Sequence, residues 1–154
     1  MISVIVTGSN DGKGLARLLT GLVPAAAEGL VKEVAVLGGD EASQGVAEDA
    51  GADLYGADGF GEAIGKARGD WLAGFPLGVN FAPGWMELLA THLAREVSEP
   101  ARLTARPGGG FSLSAAPEGW LVPRRLAASA AVVEQDFERL ARRSGRRLRI
   151  LDRR

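Results

Sequence analysis

Short apolar runs alternate with amphipathic stripes along this chain, and that alternation leaves few architectures open to it. Ile2 to Val6 is a β-branched run that ends in the turn and cap residues Thr7-Gly8-Ser9-Asn10-Asp11-Gly12. Leu15, Leu18, Leu19 and Leu22 follow at i, i+3, i+4 and i+7, one apolar stripe of a helix. Val34 to Leu37 reads as a second strand, closed by Gly38-Gly39-Asp40. Val46, Ala47 and Ala50 mark a second helix, with Gly51 as its C-cap. Ala52 to Tyr55 is a third strand, and Phe60, Ala63, Ile64 and Ala67 form a third helical face. Trp71 to Phe75 is a fourth strand that stops at Pro76. After Pro83-Gly84, the residues Trp85, Leu88, Leu89, His92 and Leu93 give an amphipathic helix with His92 on or beside its apolar face.

From Pro100 the rhythm changes. Arg102 to Ala105 and Phe111 to Ser114 flank Pro107-Gly108-Gly109-Gly110, which predicts a hairpin. Trp120 to Val122 reads as another strand, Val133, Phe137, Leu140 and Ala141 as a last helix, and Leu148 to Leu151 as a last strand. The whole pattern predicts one α/β domain over residues 1–154, its sheet mostly parallel, with antiparallel additions late in the chain. Ligands of such sheets bind beyond the carboxyl ends of the strands, which singles out loops 7–12, 38–43 and 76–83.

Composition narrows the chemistry. The chain contains no cysteine and one histidine, so disulfides, thiol catalysis and a multi-histidine metal centre within one chain are excluded. No apolar run approaches the roughly 20 residues of a bilayer span. Met1 leads straight into the first strand with no basic leader, so the expected location is cytoplasmic. The net charge of −1 hides a polarity: residues 1–121 carry 8 Lys/Arg against 15 Asp/Glu, and residues 122–154 carry 10 Arg against 4 acids. An arginine-rich end either neutralises an acidic body or meets phosphates. With 6% aromatic residues and no aromatic-basic interleave, no nucleic-acid partner is expected.

Two resemblances follow from the motifs. Thr7-Gly8-Ser9-Asn10-Asp11-Gly12-Lys13-Gly14 resembles the nucleotide loop of short-chain dehydrogenases, but the catalytic tyrosine-lysine pair has no counterpart: Gly59 stands four residues after Tyr55. The second resemblance covers nearly the whole chain. Ser3-Val4-Ile5-Val6 with Asn10-Asp11, the segment Gly29 to Gly39, Ala67-Arg68-Gly69-Asp70-Trp71-Leu72, Pro83-Gly84-Trp85 and the helix Asp136 to Gly145 are similar, in order, to motifs of family 2 glycosyltransferases.

That resemblance implies a GT-A-like three-layer α/β sandwich. It implies a nucleotide or nucleotide-diphosphate sugar as ligand, bound around Thr7, Gly8, Asn10, Asp11, Gly38, Gly39 and Asp40. The family's base-binding aspartate falls on Gly38, with Asp40 two residues on. Its second strand-4 acid falls on Gly78, inside Phe75 to Asn80, a stretch with no carboxylate. Asn80 alone is a poor ligand for a hard cation, so no metal and no cofactor are expected. The acceptor-base position falls near Glu134 and Asp136, the two candidate catalytic residues.

Plain structural roles stand beside each of these. Asn10, Asp11, Asp40, Glu134 and Asp136 sit where helix caps and first-turn acids belong. Lys66 and Arg68 end a helix, where they complement its dipole or reach a diphosphate. A degenerate scaffold that binds a partner protein, or a homo-oligomer, stays open as the alternative to a nucleotide binder.

Overall fold

The structure is a computed structural model that describes residues 1–105, 118–127 and 133–153. In chain order its elements are β1 (Ile2–Gly8), α1 (Gly12–Ala27), β2 (Val31–Gly38), α2 (Glu41–Asp49), β3 (Asp53–Tyr55), α3 (Phe60–Lys66) and β4 (Trp71–Gly74). There follow β5 (Val79–Phe81), α4 (Trp85–Leu93), β6 (Ala101–Ala105), β7 (Gly119–Pro123), α5 (Arg124–Ala127), α6 (Glu134–Arg143) and β8 (Arg147–Arg153). The described strands form one sheet in the order β3-β2-β1-β4-β7-β6-β8-β5. The first four strands are parallel neighbours, as the alternating pattern predicts. Beyond β4 the sheet is mixed: β7 runs antiparallel to β4 and β6, β8 parallel to β6, and β5 antiparallel to β8.

Period-two alternation along β1 sorts the core into two layers. Ile2, Val4 and Val6 face α1, whose Leu15, Leu18, Leu19 and Leu22 form the predicted stripe, together with Trp85 and Leu89 of α4. Ile5 faces the other way, onto Phe60 and Ala63 of α3 and Phe137 and Ala141 of α6. Each such buried side chain contributes on the order of 1.5–3 kcal/mol. On the second face Phe60, Trp120 and Phe137 pack with ring centroids 5.0–6.2 Å apart. The result is the three-layer sandwich expected from the sequence.

Two features depart from the reading above. Residues 76–83 hold a short strand, β5, which pairs with β8 across some 70 residues of chain and so leaves no local signal. Phe81 of that strand stacks on Trp85 with centroids 4.0 Å apart. The predicted hairpin mate of β6, Phe111 to Ser114, lies outside the described residues; within them β6 pairs with β7 and β8.

At the amino edge of the sheet Ser3 is buried and donates from Oγ to Glu33 Oε1 at 2.6 Å, while accepting from the Gly69 amide at 2.8 Å. Arg68 completes the cluster, its Nε 2.9 Å from Glu33 Oε2. Burial works to raise the Glu33 carboxyl, but the bonds from Ser3 and Arg68 outweigh it and hold it below the usual carboxylate range.

His92 is 3% exposed, packs edge-on against Trp71, and donates from Nε2 to the Glu99 carbonyl at 2.8 Å, which fixes the neutral tautomer. Burial lowers its pKa from the ordinary 6.5, and the nearby Arg95 and Arg146 act in the same direction. The unfolded chain therefore takes up a proton that the fold resists, so stability is complete above about pH 6.5 and falls as pH drops through that value. Because His92 is the sole histidine, His92→Gln, which keeps an N–H donor, is expected to flatten this decline; urea unfolding between pH 5 and 7 measures it.

Candidate functional site

β1 and β2 end level with one another, Gly8 opposite Gly38. Their backbones approach so closely that a Cβ on Gly8 would stand 2.5 Å from the Gly38 carbonyl oxygen. Gly38 and Gly39 then turn the chain with φ of +64° and +99°, a region that favours glycine. The following loops are tied together by one acceptor. The Ser9 carbonyl receives the Asp40 amide at 3.3 Å and the Ser43 hydroxyl at 2.6 Å, and Ser43 is fully buried.

The two loop acids cap the two helices. Asp11 Oδ1 accepts from the Gly14 amide at 2.8 Å, and Asp40 Oδ1 from the Ser43 amide at 2.8 Å. The Ser43 amide, followed by its hydroxyl, holds the Asp40 carboxyl below its ordinary pKa, so it is ionised at neutral pH. Asn10 lies exposed at the tip of the first loop. Thus Thr7, Gly8, Asn10, Asp11, Gly38, Gly39 and Asp40 come together at one edge of the sheet, as expected. Ser43 is not among the residues expected here: the Asp40 cap uses its amide, which any residue supplies, and its hydroxyl's partner is a backbone carbonyl. Capping also accounts for Gly14: a Cβ there would collide with the Asp11 carboxylate, so the dehydrogenase-like glycine pattern has a local cause.

The carboxylates of α6 separate. Glu134, in the first turn, accepts from Thr7 Oγ1 at 3.1 Å with one oxygen and from Trp120 Nε1 at 3.1 Å with the other. It therefore bridges the carboxyl end of β1 to the start of β7, across Gly74. A side chain at Gly74 would strike the Trp120 indole, so this bridge needs a glycine beneath it. Asp136 instead lies 3.5 Å from Arg139 of its own helix, and its other oxygen is buried without a partner among the described residues. Residues two apart on a helix point about 200° apart, which explains the split.

Past β4, Phe75 to Phe81 carries no carboxylate, and Gly78 takes φ +79° where the family's acid would stand. Asn80 sits within β5 rather than in an open loop, opposite Asp152 of β8. Among the described residues no three His, Asp or Glu side chains converge as a metal site. The donor set does not fit a hard divalent cation. Asp70 immediately precedes β4, at the opposite edge of the sheet. Lys66 is paired with Glu62, and Arg68 is tied to Glu33 at the amino edge of the sheet, so neither is aimed at the two loops.

Among the described residues three cavities lie away from these loops, one of them, of about 480 Å³, between Asp70, Ser98 and Arg125. An apolar one of about 560 Å³ opens between α1 and α2 over Val31, and a polar one of about 320 Å³ lies between Tyr55, Lys66 and Glu33.

No protein-family model matches the chain, and no curated protein sequence matches it. Solved structures do. Glucosyl-3-phosphoglycerate synthase from Mycobacterium tuberculosis, in complex with Mn²⁺, UDP and glucosyl-3-phosphoglycerate, superposes with a TM-score of 0.66 at 18% identity over 100% of this chain and 72% of that one. Its complex with phosphoglyceric acid gives 0.68 at 19% identity over the same shares. Mannosyl-3-phosphoglycerate synthase from Rubrobacter xylanophilus gives 0.63 at 15% identity over 84% of this chain and 55% of that one. The fold is that of the GT-A nucleotide-sugar transferases. In this GT-A fold the crest where β1 and β2 end is the tied double loop just described.

The Glu134 bridge is testable as structure. Glu134→Ala leaves the Trp120 N–H without its acceptor in a part-buried position, and about 1–2 kcal/mol of stability should be lost, with a change in tryptophan emission. Glu134→Gln, which keeps one acceptor oxygen, is expected to lose less in the same urea titration.

Proposed function

We propose that this protein binds a nucleoside diphosphate or its sugar at the crest formed by residues 7–12 and 38–43, without a divalent metal, as a glycosyltransferase-like protein with a degenerate centre. The observation that carries this reading is the Ser9 carbonyl tie, which brings the amino ends of α1 and α2 side by side where β1 and β2 stop. Backbone N–H groups at a helix start favour anions, and the first turn of α1 adds Lys13. The structural neighbours support the ligand class, since those structures hold UDP. Metal independence rests on the carboxylate-free Phe75–Phe81 segment, because Mg²⁺ and Mn²⁺ want one or two carboxylates beside the phosphates.

A second reading has its own observation. Glu134 has both oxygens taken by Thr7 and Trp120, and Asp136 turns toward Arg139, so neither carboxylate is presented to an acceptor. On that reading the chain is a catalytically silent scaffold for a partner protein or a second copy. We take residues 1–154 to act as one unit, and a cytoplasmic setting suits either reading; no described helix is long and apolar enough to cross a membrane.

Thermal shift with UDP, GDP and their sugars, each with and without Mn²⁺, separates the two. The expected result is stabilisation by at least one nucleotide, unchanged by Mn²⁺ and weakened in Gly39→Val, whose side chain would crowd Ser43 at the tie. Silence across the whole panel favours the scaffold. A shift that appears only with Mn²⁺ refutes the metal-free reading.

A further inference from the structure

The charge polarity of the sequence becomes a place on the molecule. β7 ends and α5 begins at the amino edge of the sheet, where the Arg124 amide donates to the Asp70 carbonyl at 2.8 Å. Next to it Arg125 Nη2 donates to the Ser98 carbonyl at 2.6 Å. One residue on, Glu99 receives Arg146 at 2.8 Å and lies 3.9 Å from Arg95. Arg146 belongs to the turn between α6 and β8, flanked by Arg142 and Arg143 in the last turn of α6 and by Arg147 at the start of β8. These contacts join the ends of α4, β7 and α6 into a continuous basic belt.

The belt keeps its charge. Arg125 is held by a neutral carbonyl, Glu99 is shared by two arginines, and Arg142, Arg143 and Arg147 are exposed without an ion pair among the described residues. Arg102, opposite Arg147 and paired with Glu118, adds to the belt, in which eight arginines face four acids, Asp70, Glu96, Glu99 and Glu118. Val97 stands among them with 64% of its surface exposed. None of the large exposed hydrophobic side chains of the described residues is aromatic, so the belt offers no base-stacking platform. Arginines around an exposed aliphatic side chain suit a charged, partly apolar interface.

We propose that this belt docks the protein on an anionic phospholipid bilayer. Phosphate headgroups meet the arginines, Val97 enters the headgroup region, and the crest of β1 and β2, at the opposite edge of the sheet, faces water. The inference is independent of what the crest binds.

The test is flotation of the full chain with phosphatidylcholine vesicles, with and without phosphatidylserine, at low salt and at about 0.5 M NaCl. Binding is expected only to phosphatidylserine vesicles, and to fall sharply at high salt. Each arginine near such a surface is worth roughly a fivefold change in partitioning, so the triple variant Arg142→Gln, Arg143→Gln, Arg147→Gln should lose about a hundredfold. Circular dichroism and melting of that variant should match the parent, since the three side chains hold no ion pair among the described residues. Val97→Asp should weaken binding further. Absence of binding at low salt, equal binding to neutral vesicles, or unchanged binding by the folded triple variant overturns the proposal. Tighter binding to duplex DNA than to the vesicles overturns it too, in favour of a nucleic-acid partner.

Discussion

Gly8 and Gly38 meet without room for a methyl group between them, and much of the crest follows from that contact. With the strand ends this close, the Ser9 carbonyl falls within reach of both the Asp40 amide and the Ser43 hydroxyl. That shared acceptor sets the spacing between α1 and α2, whose first turns the two aspartates close. A bulkier residue at Gly8 would part the strands, and the loops would lose their common anchor. Much of the remaining fold holds this contact in register: seven paired positions run from Ile2 opposite Val31 to Gly8 opposite Gly38. Below them Val4 and Val6 press on the leucine stripe of α1.

The parts of the fold legible in the sequence are those whose cause is local. The Leu15, Leu18, Leu19 and Leu22 stripe is buried throughout, because helical period alone decides which face meets the sheet. β1, β2 and β4 are legible because parallel strands inside a covered sheet show as short apolar runs, whereas β3 lies at the edge with Asp53 and Leu54 exposed. What escaped depends on distant partners. β5 is three residues long and exists because β8, far along the chain, pairs with it. Ser43 escapes for the same reason: its partner lies 34 residues back, at a carbonyl, and backbone acceptors leave no trace in a sequence. The candidate site was legible as a set of loops and only partly as chemistry. Glu134 could be flagged as a first-turn acid, but its ties to Thr7 and Trp120 cross 127 and 14 residues.

Those ties bear on what the crest can do. A carboxylate whose two oxygens are already engaged, by Thr7 and Trp120, is held in one orientation, which makes it a good brace. The two loops and Glu134 share one edge of the sheet, and Phe75 to Phe81 beside them carries no carboxylate. The edge thus presents two helix starts next to a braced acid, the arrangement on which the proposed binding without transfer rests.

Charge supplies the last constraint. Among the described residues the crest carries Asp11, Asp40, Glu41 and Glu134, with Lys13 in the first turn of α1, so an incoming diphosphate meets a negative field as well as the helix N-termini. In the solved GT-A structures that hold UDP with Mn²⁺ or Mg²⁺, a cation accompanies the nucleotide. Here the compensating positive charge stands at the other end of the sheet, around Arg125, Arg142 and Arg146, beyond the Debye length of roughly 8–10 Å that limits exposed charges. It cannot neutralise a ligand at the crest. On the proposed reading a diphosphate at the crest is therefore held against that field by directed hydrogen bonds from the amides of the helix starts. A sequence nearly neutral overall thus folds into a molecule with an acidic edge and a basic one.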